Sequence, residues 1–172
     1  QRRAWQRLQV RTCLRLASLV TVGSQYLRVI AEQHVNRQRL HLDPLGVDLK
    51  LFCPSTDRRP QGLNLIHVCS LVRVKDQQTL LRGFEAFRRA NPCAQLTIAG
   101  SGPLLAHLQR LATELGVADA VRFLGNLDHA ELPKVYGSGA ALVVSSRHEA
   151  QCMAAVEAAA CGTIAGIAAA RE

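Results

Sequence analysis

Leu63-Asn64-Leu65-Ile66-His67-Val68-Cys69-Ser70-Leu71-Val72-Arg73-Val74-Lys75-Asp76 is the stretch that decides the fold of this 172-residue chain. Residues 63–69 form a short apolar run bounded by turn residues, which predicts a strand. Residues 76–89 predict a helix with Leu80, Leu81, Phe84 and Phe87 on one side, stopped by Asn91-Pro92. Asp76 is placed to cap it. The same alternation continues downstream. Residues 95–99 predict a strand, and Gly100-Ser101-Gly102-Pro103 opens a helix with Pro103 suited to its first position. Leu104, Leu108, Leu111 and Leu115 line that helix, and Gly116 is placed to end it. Strands at 120–124, 140–144 and 163–167 then alternate with helices at 129–136 and 150–160. Short, apolar strands alternating with helices predict an α/β fold: a parallel sheet with helices on both faces.

In such sheets ligands bind outside the carboxyl ends of the strands. Four loops lie there: residues 70–75, 100–103, 125–128 and 145–149. Upstream, helices are expected at 4–16 and 25–33 and strands at 18–22 and 39–42. Pro44, Gly46, Pro54, Pro60 and Gly62 punctuate the stretch that follows, which reads as a linker. The organisation expected is a domain tail at 1–43, a linker at 44–61 and a domain at 62–172.

Hydrophobic residues make up 48% of the chain and aromatics 4%, so the core is aliphatic. The net charge is +8, and it is concentrated upstream. Residues 1–40 hold eight arginines and a single acid, Glu32. Arg3, Arg7, Arg11 and Arg15 recur at i, i+4 and make one stripe on a helix. A single stripe without interleaved aromatics favours a solvated face over contact with nucleic acid or anionic lipid. The six cysteines show no short spacing of a zinc or redox motif. No signal peptide or spanning segment is visible, and a reducing, cytoplasmic compartment is the expectation. The chain begins with Gln, in the middle of a helical pattern, which suggests a fragment.

The chemistry is expected in Ser145-Ser146-Arg147-His148-Glu149-Ala150-Gln151-Cys152-Met153-Ala154-Ala155-Val156-Glu157. Glu157 sits among alanines and needs a partner, since a buried carboxylate is costly alone. A hydroxyl-rich ligand would supply one. On a single helix the two glutamates would be about 12 Å apart. Carboxyls flanking one glycosidic bond need roughly 5 to 9.5 Å. The pair therefore suits the two ends of an extended ligand.

Arg73 and Lys75 lie between a strand end and a helix start, where an anion meets backbone amides and a positive dipole end. A diphosphate clamp and two exposed loop charges fit that position equally. Gly100 and Gly102 allow close backbone approach to a ligand, or a tight turn. They follow the second strand of the regular region and lack the full dinucleotide fingerprint, which argues against a nicotinamide site. His148 has either a sugar or phosphate contact or no role. Met153 reads first as helix packing.

Val68-Cys69-Ser70-Leu71-Val72-Arg73-Val74-Lys75-Asp76, Leu96-Thr97-Ile98-Ala99-Gly100-Ser101-Gly102-Pro103-Leu104, Val121-Arg122-Phe123-Leu124-Gly125, the double-glutamate segment and Glu157-Ala158-Ala159-Ala160-Cys161-Gly162 follow in this order. Together they resemble the donor-binding domain of retaining glycosyltransferases of family 4, over nearly all of residues 62–166. Residues 12–48 resemble the segment joining that family's two domains. The resemblance implies a Rossmann-like parallel sheet within an incomplete two-domain glycosyltransferase fold. It implies transfer of a sugar from a nucleotide-sugar donor to an acceptor hydroxyl with retention of configuration, and no metal or other cofactor.

By the same resemblance Glu149 holds donor-sugar hydroxyls and Glu157 the nucleotide ribose. Lys75 neutralises the diphosphate, and the backbone near Gly125 and Asn126 reads the base. The amides of Gln151, Cys152 and Met153 meet the sugar or phosphate. Ser70 stands where the family has an arginine, leaving that role to Arg73. Ala150 and Cys152 replace glycines, and Ile164 replaces a proline.

The acceptor stays open among saccharide, lipid and small molecule, and this stretch alone is expected to be inactive. Residues 1–40 would touch an anionic membrane peripherally, at the inner face. The alternative is a non-catalytic nucleotide-sugar binding module of the same fold. A nucleic-acid-binding reading rests on residues 1–40 alone, and the near-neutral remainder argues against it.

Overall fold

The hydrophobic pattern upstream of Gly46 and the one downstream of it fold into separate units. The structure is a computed structural model and describes residues 2–54 and 62–167.

The first unit contains α1 (Arg2–Leu16), β1 (Val20–Val22), α2 (Gln25–Ala31) and β2 (Leu40–Leu42). β1 and β2 pair in parallel, with Val20 beside Leu40. Ser24 caps α2 by accepting the Leu27 amide at 3.2 Å. A small core of Val22, Val35 and Leu40 holds the unit. Arg11 and Arg15 are exposed on α1; the side chains of Arg3 and Arg7 lie outside the described residues.

The second unit contains β3 (Asn64–Val68), α3 (Gln77–Ala90), β4 (Gln95–Ala99), α4 (Leu105–Glu114), β5 (Val121–Gly125), α5 (Leu132–Ser138), β6 (Ala141–Val144), α6 (Met153–Ala160) and β7 (Ile164–Ile167). The five strands form one parallel sheet in the order β5-β4-β3-β6-β7. Right-handed crossovers in a parallel sheet put the helices of oppositely directed runs on opposite faces. Alternate strand residues serve the two faces accordingly. Leu96 and Ile98 pack with Leu80, Leu81 and Phe84 of α3 and with Leu108 and Leu111 of α4. Ile66, Leu142 and Val144 pack with Tyr136 of α5 and Ala158 of α6. The architecture is thus the α/β, Rossmann-like parallel sheet with helices on both faces.

Several boundaries differ from expectation. Pro103 precedes α4 instead of opening it, because the helix begins at Leu105. Phe87 is exposed, the last aromatic of its row on α3 having passed beyond the core. α6 begins at Met153, not at Ala150. The preceding loop is tied to a neighbouring one: the Arg147 amide donates to the Val74 carbonyl at 2.9 Å, and the Ser145 hydroxyl to the Lys75 carbonyl at 2.8 Å. These two bonds hold the approach to residue 150 against the neighbouring loop. Glu149 therefore lies on a loop, and the single-helix estimate of the glutamate separation does not apply. Asp76 stands at the α3 N-cap position in a left-handed conformation, φ 48°, with no capping bond from its side chain. In the expected linker Phe52 is buried against Ile66 and Tyr136, beside Val47 and Leu51; residues 55–61 lie outside the described residues.

Candidate functional site

Strand order reverses direction between β3 and β6: β4 and β5 build outward on one side, β7 on the other. The connections leaving β3 and β6 consequently diverge and leave a crevice at their carboxyl ends. A cavity of about 320 Å³ lies there, with His67, Cys69 and Lys75 on one wall and Glu149, Cys152 and Met153 on the other. Gln151 also lines it.

The two walls meet through charge. Lys75 Nζ donates to Glu149 Oε1 at 2.6 Å, and both side chains are about a quarter exposed (24% and 25%). Arg147 Nε donates to Asp76 Oδ2 at 2.9 Å and braces the same pair of loops from outside. Desolvation opposes ionisation of Asp76, but the bond from the Arg147 guanidinium prevails and holds the carboxyl below its ordinary value. Lys75 belongs to a one-turn 3-10 helix, Arg73–Lys75, whose geometry aims its side chain across the crevice while Arg73 stays exposed.

Beneath the ion pair runs a chain of neutral groups that pattern reading did not single out. His67 is buried and its Nδ1 lies 2.8 Å from the Val143 carbonyl, which can only accept. Nδ1 therefore carries the proton, and Nε2 accepts from the Cys69 thiol at 2.9 Å. Gln77 Nε2 donates to Cys69 Sγ at 3.1 Å and to the Ser70 carbonyl at 3.0 Å. Burial holds the His67 pKa down, against the Val143 bond, and pushes the Cys69 thiol up to about 11. The floor under Lys75 and Glu149 is thus uncharged and fixed in one tautomer.

Glu157 is placed differently. It is buried in α6, where the Tyr136 hydroxyl donates to Oε2 at 2.7 Å and His129 Nε2 lies 3.4 Å from Oε1. Burial first, and Glu157 second, raise the Tyr136 pKa and keep its proton in that bond. Phe52 supports both donors, with ring centroids 5.0 Å from His129 and 6.1 Å from Tyr136. Glu157 has a protein partner, then, where the sequence suggested a ligand. Tyr136 and His129 went unnoticed because they sit 21 and 28 positions away; the only signal was a tyrosine in a chain with two.

The remaining residues divide. Gly100 and Gly102 turn their bare Cα toward the neighbouring loop. A Cβ on Gly100 would fall on the Cys69 carbonyl, and one on Gly102 would lie 2.5 Å from the Leu71 oxygen. Their close approach is between two loops, sealed where the Leu71 amide donates to the Ser101 carbonyl at 2.9 Å. Gly125 ends β5 beside Gly100, and Asn126 is exposed just beyond it. His148 is exposed on the loop before Glu149. The structure therefore gathers Lys75, Glu149, Gln151, Cys152 and Met153 around one cavity; Arg73, His148, Gly100, Gly102, Gly125, Asn126 and Glu157 are not among the described residues that line it.

Among the described residues no group of three or more His, Cys, Asp or Glu side chains could hold a metal ion, and no helix is long and apolar enough to cross a membrane.

A crevice at a switch point, faced by a cation and a carboxylate, fits many α/β proteins. Comparison with known proteins narrows it. The model of the family "Glycosyl transferases group 1" matches residues 55–169. The chain belongs to that family. A relative of this chain is the GDP-mannose-dependent alpha-(1-6)-phosphatidylinositol monomannoside mannosyltransferase of Mycolicibacterium smegmatis. It is 38% identical over 144 residues, covering 75% of this chain and 38% of the relative. Mannosylfructose-phosphate synthase of Agrobacterium fabrum is 29% identical, covering 84% of this chain and 36% of its own length. The chain thus spans well under half of the curated relatives it matches. Among solved structures, sucrose-phosphate synthase from Thermosynechococcus elongatus superposes with a TM-score of 0.80 at 28% identity, over 91% of this chain and 42% of that one. Anabaena HepE in complex with UDP-glucose superposes at 0.82 with 21% identity, over 94% of this chain and 47% of that one, and shows the shared fold.

Proposed function

We propose that this chain carries the donor side of a retaining, family 4 glycosyltransferase that moves a sugar from a nucleotide-sugar donor to an acceptor hydroxyl. The observation that carries the reading is the Lys75–Glu149 contact of 2.6 Å across the switch-point cavity. A sugar diphosphate has anionic oxygens on one side of its anomeric bond and donor hydroxyls on the other. An ammonium and a carboxylate standing side by side match those two needs.

In this reading Lys75 takes the diphosphate and Arg73, exposed on the same turn, joins it. Glu149 accepts from the sugar hydroxyls, and the amides of Gln151, Cys152 and Met153 face the sugar or phosphate at the start of α6. Glu157, already oriented by Tyr136, keeps lone pairs for the ribose hydroxyls. Asn126 and Gly125 lie toward the base, with Gly100 and Gly102 fixing the adjoining loop and His148 at the rim.

As the anomeric bond breaks, negative charge grows on the leaving diphosphate. Fixed cations and the α6 dipole stabilise it where they already stand, with no metal required. The leaving phosphate oxygen takes the proton of the acceptor hydroxyl on the same face, and configuration is retained.

The 38%-identical relative is named for GDP-mannose and a phosphatidylinositol mannoside. GDP-mannose is therefore the first donor to test and a lipid-linked saccharide the first acceptor class. Such an acceptor suits a cytoplasmic protein that touches the inner membrane face through the arginines of residues 1–40.

Thermal shift of the full-length protein with GDP-mannose, UDP-glucose and ADP-glucose tests the donor. One of the three is expected to raise the melting temperature in a saturable way, and Lys75→Ala to abolish that shift. No shift from any of them overturns the reading. Saturable binding without transfer to any acceptor identifies instead a binding module of the same fold, a reading favoured by the side chain of Cys152 entering the cavity.

A further inference from the structure

α5 covers only part of its sheet face, and the half over β4 and β5 encloses a second cavity, of about 270 Å³. Thr97 stands in register with Ile66 on one side and Arg122 on the other, so all three side chains share this face. Asn64 and Leu124 have the same parity. Lys134 and Ser138 of α5 form the facing wall. Asn64 begins β3 and Ser138 ends α5. The cavity consequently runs along this face from Asn64 at the start of β3 to Leu124 near the end of β5, and it shares no residue with the cavity that holds Lys75 and Glu149.

Its floor is polar where a sheet of this kind is expected to be apolar. Thr97 is buried between Leu96 and Ile98. Its hydroxyl donates to Asn64 Oδ1 at 3.1 Å, and Asn64 Nδ2 reaches the Ser138 carbonyl at 3.5 Å. These bonds pin the two side chains and leave the threonine oxygen as an acceptor toward the cavity. At the mouth stand two exposed cations, Arg122 and Lys134, and no acidic side chain lines the cavity among the described residues. Two cations lining one hollow, with no carboxylate beside them among the described residues, give it a positive lining that suits an anion.

We propose that this cavity binds a small phosphorylated polyol of the sugar-phosphate class, with Arg122 and Lys134 on the phosphate and the Thr97–Asn64 pair and Ser138 on the hydroxyls. A guanidinium and an ammonium make charge-assisted bonds to phosphate, and the volume admits one hexose phosphate but not a nucleotide sugar as well. The proposal does not rest on the donor reading of the other cavity, since the two share no residue.

The test is titration of the full chain, at constant ionic strength, with glucose 6-phosphate, inorganic phosphate and glucose, followed by calorimetry and thermal melting. Glucose 6-phosphate is expected to bind saturably, phosphate more weakly and glucose not at all. Arg122→Ala and Lys134→Ala are each expected to weaken binding about tenfold or more. Both side chains are exposed, so folding is retained. Lys75→Ala is expected to leave the titration unchanged. Absence of saturable binding overturns the proposal, as does undiminished binding by both cation variants. Loss of binding in Lys75→Ala also overturns it, by assigning the phosphate to the other cavity. Phosphate binding as tightly as the sugar phosphate overturns the hydroxyl contacts.

Discussion

Glu149 and Glu157 lie eight positions apart, yet the molecule treats them in opposite ways. Glu149 is on a loop, a quarter exposed, and meets an ammonium 2.6 Å away. Glu157 is inside a helix, more deeply buried (12% of its side chain exposed), and is held by a tyrosine hydroxyl and an imidazole edge. The first carboxylate and its partner both border a cavity. The second is locked into the core through Tyr136, which is itself completely buried. The difference teaches that one segment can set one carboxylate at a cavity and another in the core, according to whether its backbone has entered the helix.

The largest expected effect breaks this contrast on the side of activity. Glu149→Ala and Lys75→Ala in the full-length protein are each expected to lower transfer by about 10²- to 10³-fold, the usual cost of removing one preorganised charge contact. Their melting temperatures should fall less than those of core variants, because a pair that is a quarter exposed and borders a cavity keeps contact with solvent. Initial rates and thermal melts measured together decide it, and near-normal rates would remove both residues from the reaction.

Glu157→Ala should lose stability, which the first pair of variants tests least. It leaves the buried Tyr136 hydroxyl without an acceptor, which costs about 1–3 kcal/mol, whereas Glu157→Gln keeps an acceptor in place and should lose much less. Chemical denaturation of the two variants separates a hydrogen-bond role from a charge role. Equal losses would show that the charge itself is what the core requires.

The smallest effect is a pH dependence under the ion pair. His67 is held below its ordinary value of 6.5, chiefly by burial. Below 6.5 the unfolded chain binds a proton that the folded chain refuses, so stability rises with pH through this window and is fully present above it. His67→Gln should flatten the acid limb of a melting-temperature profile between the depressed pKa and 6.5. Lys75 also pushes His67 down, so Lys75→Ala should bring the folded-state value back toward 6.5 and shorten the limb from its acid end. An unchanged limb in both variants would separate the floor from the charges above it.

The strands of the second unit were legible because their cause is local. Leu65, Ile66, Leu96, Ile98, Leu142 and Val144 are apolar on both sides of the chain, and Pro92, Gly100 and Gly116 interrupt the pattern where elements end. The start of α6 was not legible. Alanine-rich sequence favours helix from residue 150 onward, but the bonds from Ser145 and Arg147 to the carbonyls of Lys75 and Val74 hold the approach in a loop. The glycines at 100 and 102 were readable as points of close approach, yet not as contacts between two loops, because the second loop is some thirty residues earlier.

What the sequence determined by itself was the alternation of strand and helix, and with it a parallel sheet whose carboxyl edge is the place for a site, since periodicity and breaker residues act over one turn or one strand. Only the tertiary structure decided that Lys75 meets Glu149 across 74 positions, that Tyr136 occupies Glu157, and that Arg122 and Lys134 share a hollow. Those pairings follow from strand order and from which half of a sheet face a helix leaves open, and both are properties of the assembled sheet.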